Sequence, residues 1–222
     1  MAQNSWTAVD AYINDLLLPE DQVLAAALAD AEAAGLPAIN VAPNQGKLLN
    51  LMARSHGAGK ILEIGTLAGY STIWLGRALP EGGKLISLEF NPAHASVAEA
   101  NIARAGLSGK VEIRVGKALD TLPQLLQEGA GPFDMIFIDA DKEPYCEYFQ
   151  WSLKLSRPGT LIVADNVVRD GAIVNEQETD SRVIGIRRFN EFLAGEKRVS
   201  ATILQTVGSK GYDGFAFALV NQ

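Results

Sequence analysis

The chain is poor in the residues that build cross-links and soft-metal sites. Cys146 is its single cysteine, and it has two histidines in 222 residues. No intrachain disulfide can form, and a zinc site of the usual Cys/His kind cannot be assembled. For Cys146 itself, a nucleophilic role stands beside the plainer reading of a buried spectator thiol. Basic residues are also outnumbered: 19 Lys and Arg against 26 Asp and Glu leave a formal net charge of −7. That balance opposes a phosphate-binding surface for DNA or RNA. No apolar run approaches the roughly 18–20 residues of a membrane span, and "MAQNSWTAVDAYINDLLLPED" lacks the basic start and long apolar core of a signal peptide. The expectation is a cytoplasmic protein that acts on small molecules, with neither nucleic acid nor membrane as partner.

What is present is an ordinary globular composition, 48% hydrophobic and 20% charged, over a length that buries one complete core. A single domain, 1–222, is expected. Trp6, Val9, Ile13, Leu16 and Leu17 fall at helical spacing; "EDQVLAAALADAEAAG" continues as helix to Gly35 and Pro37, and "NQGKLLNLMARSHG" forms a third. Five apolar runs follow, "KILEIGT", "KLISLEF", "KVEIRVG", "FDMIFID" and "GTLIVAD", with helical segments at about 71–79, 92–106, 118–128, 144–155 and 182–194. Such alternation predicts an α/β fold with a parallel sheet covered on both faces. "SATILQTVG" and "DGFAFALV" are linked only by "SKGY", too short for a crossover, so they should pair antiparallel. The result is a doubly wound, mostly parallel seven-stranded sheet with a C-terminal antiparallel hairpin and N-terminal helices. Ligands of such sheets bind beyond the carboxyl ends of the strands.

The residues at those ends carry the chemistry. After the first strand, "LEIGTLAGYST" offers Gly65 and Gly69 for a tight turn and close ligand approach, then a helix start near Ser71. The G-x-x-x-G spacing suits a nucleoside without pyrophosphate, although a plain turn gives the same pattern. Glu89, 24 residues beyond Gly65, is placed to accept ribose hydroxyls; the alternative is an acid leading into the helix begun at Asn91-Pro92. Gly116 to Ala118, after the third strand, can present backbone N–H groups to an adenine edge. Asp139 closes the fourth strand and Asp165-Asn166 the fifth. If these ends are neighbours, two carboxylates and an amide oxygen converge, and such a cluster repels itself unless it holds a cation. All-oxygen ligands favour a hard ion, Mg²⁺ first and then Mn²⁺ or Ca²⁺. Helix capping by Asp and Asn is the competing account.

Together "LEIGTLAGYS", "LEFNP", "FIDADKEPY" and "VADNVVRDG" resemble the cation-dependent O-methyltransferases, the group that includes catechol and caffeoyl-CoA O-methyltransferases and small bacterial relatives. The resemblance runs from "AINVAPNQGKLL" to "VGSKGYDGFAFALV". It implies the Rossmann-like methyltransferase sheet, S-adenosylmethionine as cofactor, and methylation of one hydroxyl of a vicinal-diol aromatic. It puts Asp139, Asp165 and Asn166 on the metal ligands and Lys142 on the catalytic lysine. Val41, Glu63, Gly65, Thr66, Gly69, Tyr70, Ser71, Glu89, Gly116, Ala118, Asp139 and Asp141 fall on the cofactor side, and Asn40, Lys142, Asn166 and Arg169 on the acceptor side. It further implies that the helices of 1–57 form part of an active-site cover and that the chain is a homodimer, with Trp6, Trp74 and Trp151 available to core or interface. Ala140-Asp141 replaces the bulky aromatic pair of the catechol enzyme, which points to the caffeoyl-CoA and bacterial branch. The polar stretch 169–185 is expected to lie as a loop over the acceptor site. As a base, Lys142 would need its pKa lowered.

Two other functions compete. "IDADK" resembles the Asp-x-Asp loop of haloacid-dehalogenase-type, Mg-dependent phosphatases, but it follows the fourth strand rather than the first, and Glu143 stands where Thr or Val is usual. The second is a non-catalytic S-adenosylmethionine-binding module, or a methyltransferase for RNA or protein. The acidic charge opposes RNA, and the complete acid-acid-amide set opposes a silent module.

Overall fold

The computed structural model describes residues 2–222. Three helices, α1 (Ala2–Leu17), α2 (Gln22–Ala33) and α3 (Pro43–Ser55), precede the first strand. Helix α2 begins where Asp21 Oδ1 accepts the N–H groups of Val23 and Leu24, satisfying donors that the first turn leaves free. From residue 60, strand and helix alternate: β1 (Lys60–Ile64), α4 (Tyr70–Gly76), β2 (Lys84–Glu89), α5 (Pro92–Arg104), β3 (Val111–Val115), α6 (Ala118–Gln127), β4 (Phe133–Ile138), α7 (Tyr145–Lys154) and β5 (Ser156–Asp165). A 3₁₀ turn, Arg169–Val174, leads to α8 (Ser181–Gly195), and the chain closes with β6 (Val199–Gly208) and β7 (Gly211–Val220).

The seven strands form one sheet in the order β3-β2-β1-β4-β5-β7-β6. Strands β1 to β5 pair in parallel, and β7 is antiparallel to both β5 and β6, as the short "SKGY" link requires. Successive residues of a strand face opposite sides, and β1 displays this: Ile61 joins one core cluster with Leu49, Ile73 and Ile102, and Leu62 joins the other with Leu125, Phe149 and Phe189. Each face of the sheet is thus sealed by its own layer of helices. No described helix is long and apolar enough to cross a membrane.

Helix α1 departs from its apolar periodicity. Val9, Leu16 and Leu17 are exposed, and the buried residue is Asp10. The reason is a polar anchor: Asp10 Oδ1 accepts from Asn44 Nδ2 at 2.8 Å and Oδ2 from Ser209 N at 2.6 Å, fastening the helix to the β6-β7 turn. Val9, Leu16 and Leu17 therefore face outward, with Trp6 and Ile13 half-buried beside them. Cys146 is buried on α7, and burial pushes its thiol above the ordinary value, which removes the thiolate a nucleophile needs.

The centre of the α7-α8 layer is aromatic. Phe189 is fully buried and stands edge-on to Tyr145 at 5.6 Å and to Phe149 at 5.5 Å between ring centroids. Phe189→Ala removes both contacts and should lower unfolding stability by roughly 3–5 kcal/mol, measured by urea denaturation. A loss below about 1 kcal/mol would mean that the cluster collapses onto the cavity without cost.

Candidate active site

The turn after β1 is organised by two buried acids. Glu63 ends in a cage of hydroxyls: Ser71 Oγ donates to Oε1 at 2.6 Å, while Ser87 Oγ at 2.6 Å and Thr72 Oγ1 donate to Oε2. Burial drives its carboxyl up to about 7, against the downward pull of those hydroxyls. Glu89 takes the opposite approach and accepts backbone donors. Its Oε2 receives the N–H of Thr66 at 3.2 Å and of Leu67 at 2.8 Å, and its Oε1 the N–H of Asn91 at 2.9 Å. It holds the glycine turn from beneath and retains lone pairs for a further donor. Capping of α5 falls to Asn91, whose side chain accepts from Ala93 N. Gly65 has φ +102°, and a Cβ there would lie 2.0 Å from the carbonyl oxygen of Asp139. Only glycine allows the β1 turn to press against the end of β4.

That contact leads to the second half of the site. Strands β4 and β5 pair Ile138 with Ala164, so Asp139 and Asp165 leave the sheet side by side. Lys142 Nζ donates to Asp139 Oδ1 at 2.9 Å and to the Tyr145 hydroxyl at 2.7 Å. Tyr145, fully buried, donates in turn to the carbonyl oxygen of Asp165 at 2.9 Å. Burial first, and the Asp139 charge second, push the Asp165 carboxyl well above its usual range. The depression expected of Lys142 is not found in this state. Burial pulls its pKa down, but Tyr145 and Asp139 outweigh that effect and raise it.

Among the described residues, no three His, Cys, Asp or Glu side chains gather as a metal cluster; the candidate set is two carboxylates and an amide. It suits a hard cation on chemical grounds. The donors are all oxygen, the Asp139 charge disfavours ionisation of the buried Asp165, and Asn166 is turned by a left-handed backbone (φ +58°) that asparagine tolerates better than most residues.

A cavity of about 770 Å³ covers both halves. Asn40, Val41, Gly65, Thr66, Tyr70, Ser71, Glu89, Gly116, Ala118, Asp139, Asp141, Lys142, Asn166 and Arg169 line it. Glu63, Gly69 and Asp165 are outside the lining: Glu63 acts through Ser71, Gly69 packs against Ala98, and Asp165 is 4% exposed. Of the first 57 residues, Ala27, Leu28 and Ala31 of α2 and the segment 39–41 contribute to the wall. His94, Lys117, Tyr148 and Arg182 line it too and were not singled out by motif reasoning. Tyr145 could have been found, because it lies three residues after Lys142 where α7 begins. Asp213 gave no such signal. Its Oδ1 accepts the N–H of Val168 and Arg169 at 2.9 Å each from 44 or more residues away. The 169–185 segment is less of a loop than expected, since 181–185 is already the first turn of α8.

A sheet with this strand order, a reversed β7, and a cavity beyond the parallel strand ends is the frame of the Rossmann-like methyltransferases. The O-methyltransferase family model matches residues 16–216, and the chain belongs to that family. It is 61% identical to a catechol O-methyltransferase of Niastella koreensis over 99% of this chain and 100% of that protein. An O-methyltransferase from Bacillus cereus, solved in complex with SAH, superposes with a TM-score of 0.97 at 56% identity over 99% of this chain and 100% of that one. The O-methyltransferase TomG from Streptomyces achromogenes, involved in tomaymycin synthesis and solved with SAM, gives 0.96 at 50% identity with both chains fully covered. Membership of this family removes the phosphatase reading of "IDADK".

Glu63 makes a prediction with a definite sign. Its carboxyl titrates near 7 in the fold against 4.5 in the unfolded chain, so the native state holds the proton more tightly. The stability this contributes is complete below pH 4.5 and is lost as pH rises through 7. Glu63→Gln fixes the neutral form. Relative to that variant, the wild type should lose roughly 3 kcal/mol between pH 4.5 and 8, read by urea unfolding at several pH values. A difference that stays flat with pH would show that Glu63 is ionised throughout.

Proposed function

We propose that this chain is a divalent-metal-dependent O-methyltransferase that transfers the methyl group of S-adenosylmethionine to one hydroxyl of a catechol-type aromatic. The observation that carries the reading is the convergence of Asp139, Asp165 and Asn166 at the ends of β4 and β5, with Lys142 bonded to the first of them. The SAH and SAM held by the Bacillus and Streptomyces structures support the cofactor, and the Niastella relative, a catechol O-methyltransferase, supports the acceptor class.

In this reading Glu89 and the backbone of Thr66, Gly116 and Ala118 receive the nucleoside, with Val41, Tyr70, Ser71 and Asp141 along its path; Glu63 and Gly69 shape the turn. When bound, S-adenosylmethionine supplies the methyl group, and a cation on Asp139, Asp165 and Asn166, Mg²⁺ first and then Mn²⁺ or Ca²⁺, supplies Lewis acidity toward two vicinal hydroxyls. Lys142 Nζ takes the proton of the reacting hydroxyl. Burial already pulls Lys142 toward the neutral form, and commitment of the Asp139 charge elsewhere removes part of the opposition. Tyr145 keeps Nζ in place. Asn40 lies on the wall near the acceptor, and α2 with segment 39–41 serves as a cover that excludes water. Val9, Leu16 and Leu17 exposed on α1, with Leu204 and Val207 exposed on β6, support a second copy of the chain as partner.

The decisive assay follows methyl transfer to a panel of vicinal-diol aromatics with Mg²⁺. EDTA and Asp165→Ala should each abolish turnover, and Lys142→Gln should lower kcat by about 10²–10⁴-fold while calorimetric affinity for S-adenosylmethionine persists. Full activity in EDTA would overturn the metal assignment. Cofactor binding with no transfer to any acceptor would favour the silent module.

A further inference from the structure

Asn40 and Val41 line the cavity with Gly65, Tyr70 and Ser71, and they end the connection between α2 and α3. From Leu36 to Val41 the connection makes one hydrogen bond to a distant part of the chain: Lys210 Nζ donates to the Ala38 carbonyl oxygen at 2.9 Å, across 172 positions. Its other hydrogen bonds are local. The N–H of Leu36 reaches the Ala31 carbonyl oxygen, that of Ile39 the Pro37 carbonyl oxygen, and Asn40 Nδ2 the Val41 carbonyl oxygen. Pro37, Ala38 and Ile39 are exposed, so apolar packing fixes little of the connection before the buried Val41.

The turn that carries Lys210 is itself firmly held. Ser209-Lys210 joins β6 to β7, where Gly208 pairs with Gly211. Asp10 Oδ2 accepts the Ser209 N–H at 2.6 Å, Gln3 Nε2 donates to the Gly208 carbonyl oxygen at 3.0 Å, and a Cβ on Gly208 would lie 2.5 Å from Asp10 Oδ2. The other oxygen of Asp10 receives Asn44 Nδ2, in the first turn of α3. The connection is thus fastened at Ala38 and just beyond Val41, both times against the same turn. Burial alone lowers the Lys210 pKa, and no carboxylate pulls on its ammonium. The bond to Ala38 is charge-assisted yet exposed, and segments that move in binding are drawn from such locally weak contacts.

The opposite wall hangs from the same hairpin more tightly. Asp213 accepts the N–H groups of both Val168 and Arg169, and α8 braces that wall from behind through Arg187 and Asn190. Of the two sides, the Ala38 side is the one that a single broken bond releases.

We infer that Lys210 is a positioning residue of the cofactor site: by holding Ala38 it keeps the 39–41 wall closed, and breaking that bond opens the way for S-adenosylmethionine to enter and its demethylated product to leave. This rests on the S-adenosylmethionine reading above and adds how that site opens.

The test compares the wild type with Lys210→Met, which keeps a long stem and removes the donor, and Lys210→Arg, which keeps a donor. The readouts are the loss of radiolabelled S-adenosylhomocysteine into excess unlabelled compound, KM for S-adenosylmethionine, and the urea midpoint. Lys210→Met should speed dissociation about fivefold and raise KM for S-adenosylmethionine in step, without a fall in kcat. Lys210→Arg should restore most of the wild-type rate, and all three proteins should share one urea midpoint. An unchanged dissociation rate in Lys210→Met would overturn the inference. So would faster dissociation in both variants together with a lowered urea midpoint, the mark of a damaged hairpin rather than a lost donor. If the wild type binds neither compound, the S-adenosylmethionine reading itself fails, a result distinct from equal dissociation rates.

Discussion

Two carboxylates that leave adjacent strands together are the constraint around which this molecule is built. The pairing of Ile138 with Ala164 fixes Asp139 beside Asp165; Asp165 is buried, while Asp139 stays partly open to the cavity. Burial first, and the Asp139 charge second, hold the Asp165 carboxyl well above its usual range. The protein answers with a short network: Lys142 on Asp139, Tyr145 on Lys142, and the Asp165 carbonyl on Tyr145. The aromatic cluster around Phe189 fixes Tyr145, so α8, distant in sequence, determines where the Lys142 ammonium lies. Removing any member leaves another buried polar group without its partner, which is why such networks act as units.

The acids of the β1 turn solve a different problem with the same functional group. Glu63 is surrounded by hydroxyls, and burial raises its carboxyl to about 7 against their pull; Glu89 faces backbone N–H groups and offers its remaining lone pairs to the cavity. The difference lies in the donors, since both residues are nearly inaccessible. Glu63 thereby binds α4 to β2 through Ser71, Thr72 and Ser87, and Gly65 transmits that register to Asp139 through a contact no side chain could share. The glycine-turn half and the carboxylate half of the cavity are joined at that point.

The alternation of apolar runs with helical segments was enough to read the sheet, because parallel strands buried on both faces must be nearly uniformly apolar. The link "SKGY" was enough to read the reversed β7. Acids and amide at the ends of β4 and β5 were legible for the same reason: a charge directly after a buried strand has few structural uses. Three features were not legible. Apolar periodicity in α1 marked a helix but not its buried contact, which is Asp10, whose partners Asn44 and Ser209 come from opposite ends of the chain. The upward shift of Lys142 depends on Tyr145 and Asp139 surrounding it in space. Asp213 controls Val168 and Arg169 through a β-sheet neighbour, and nothing in the local string "GYDGF" announces that.

The segment after Asn166 is better described as a braced wall than as a hinged cover. Arg187 of α8 donates to the carbonyl oxygens of Ile173 and Asn175, and Asn190 donates to that of Val167. Gly185 brings α8 so close that a Cβ would lie 2.5 Å from the Lys142 carbonyl oxygen. With Asp213 pinning the other side, left-handed Asn166, Arg169 and Asp170 are maintained by contacts on two flanks. Unfavourable backbone persists only where its surroundings over-determine it. Here those surroundings are the same helix that presses on the Lys142 turn, so the position of the cavity wall after Asn166 and the position of the proposed base are set by one rigid element rather than adjusted independently.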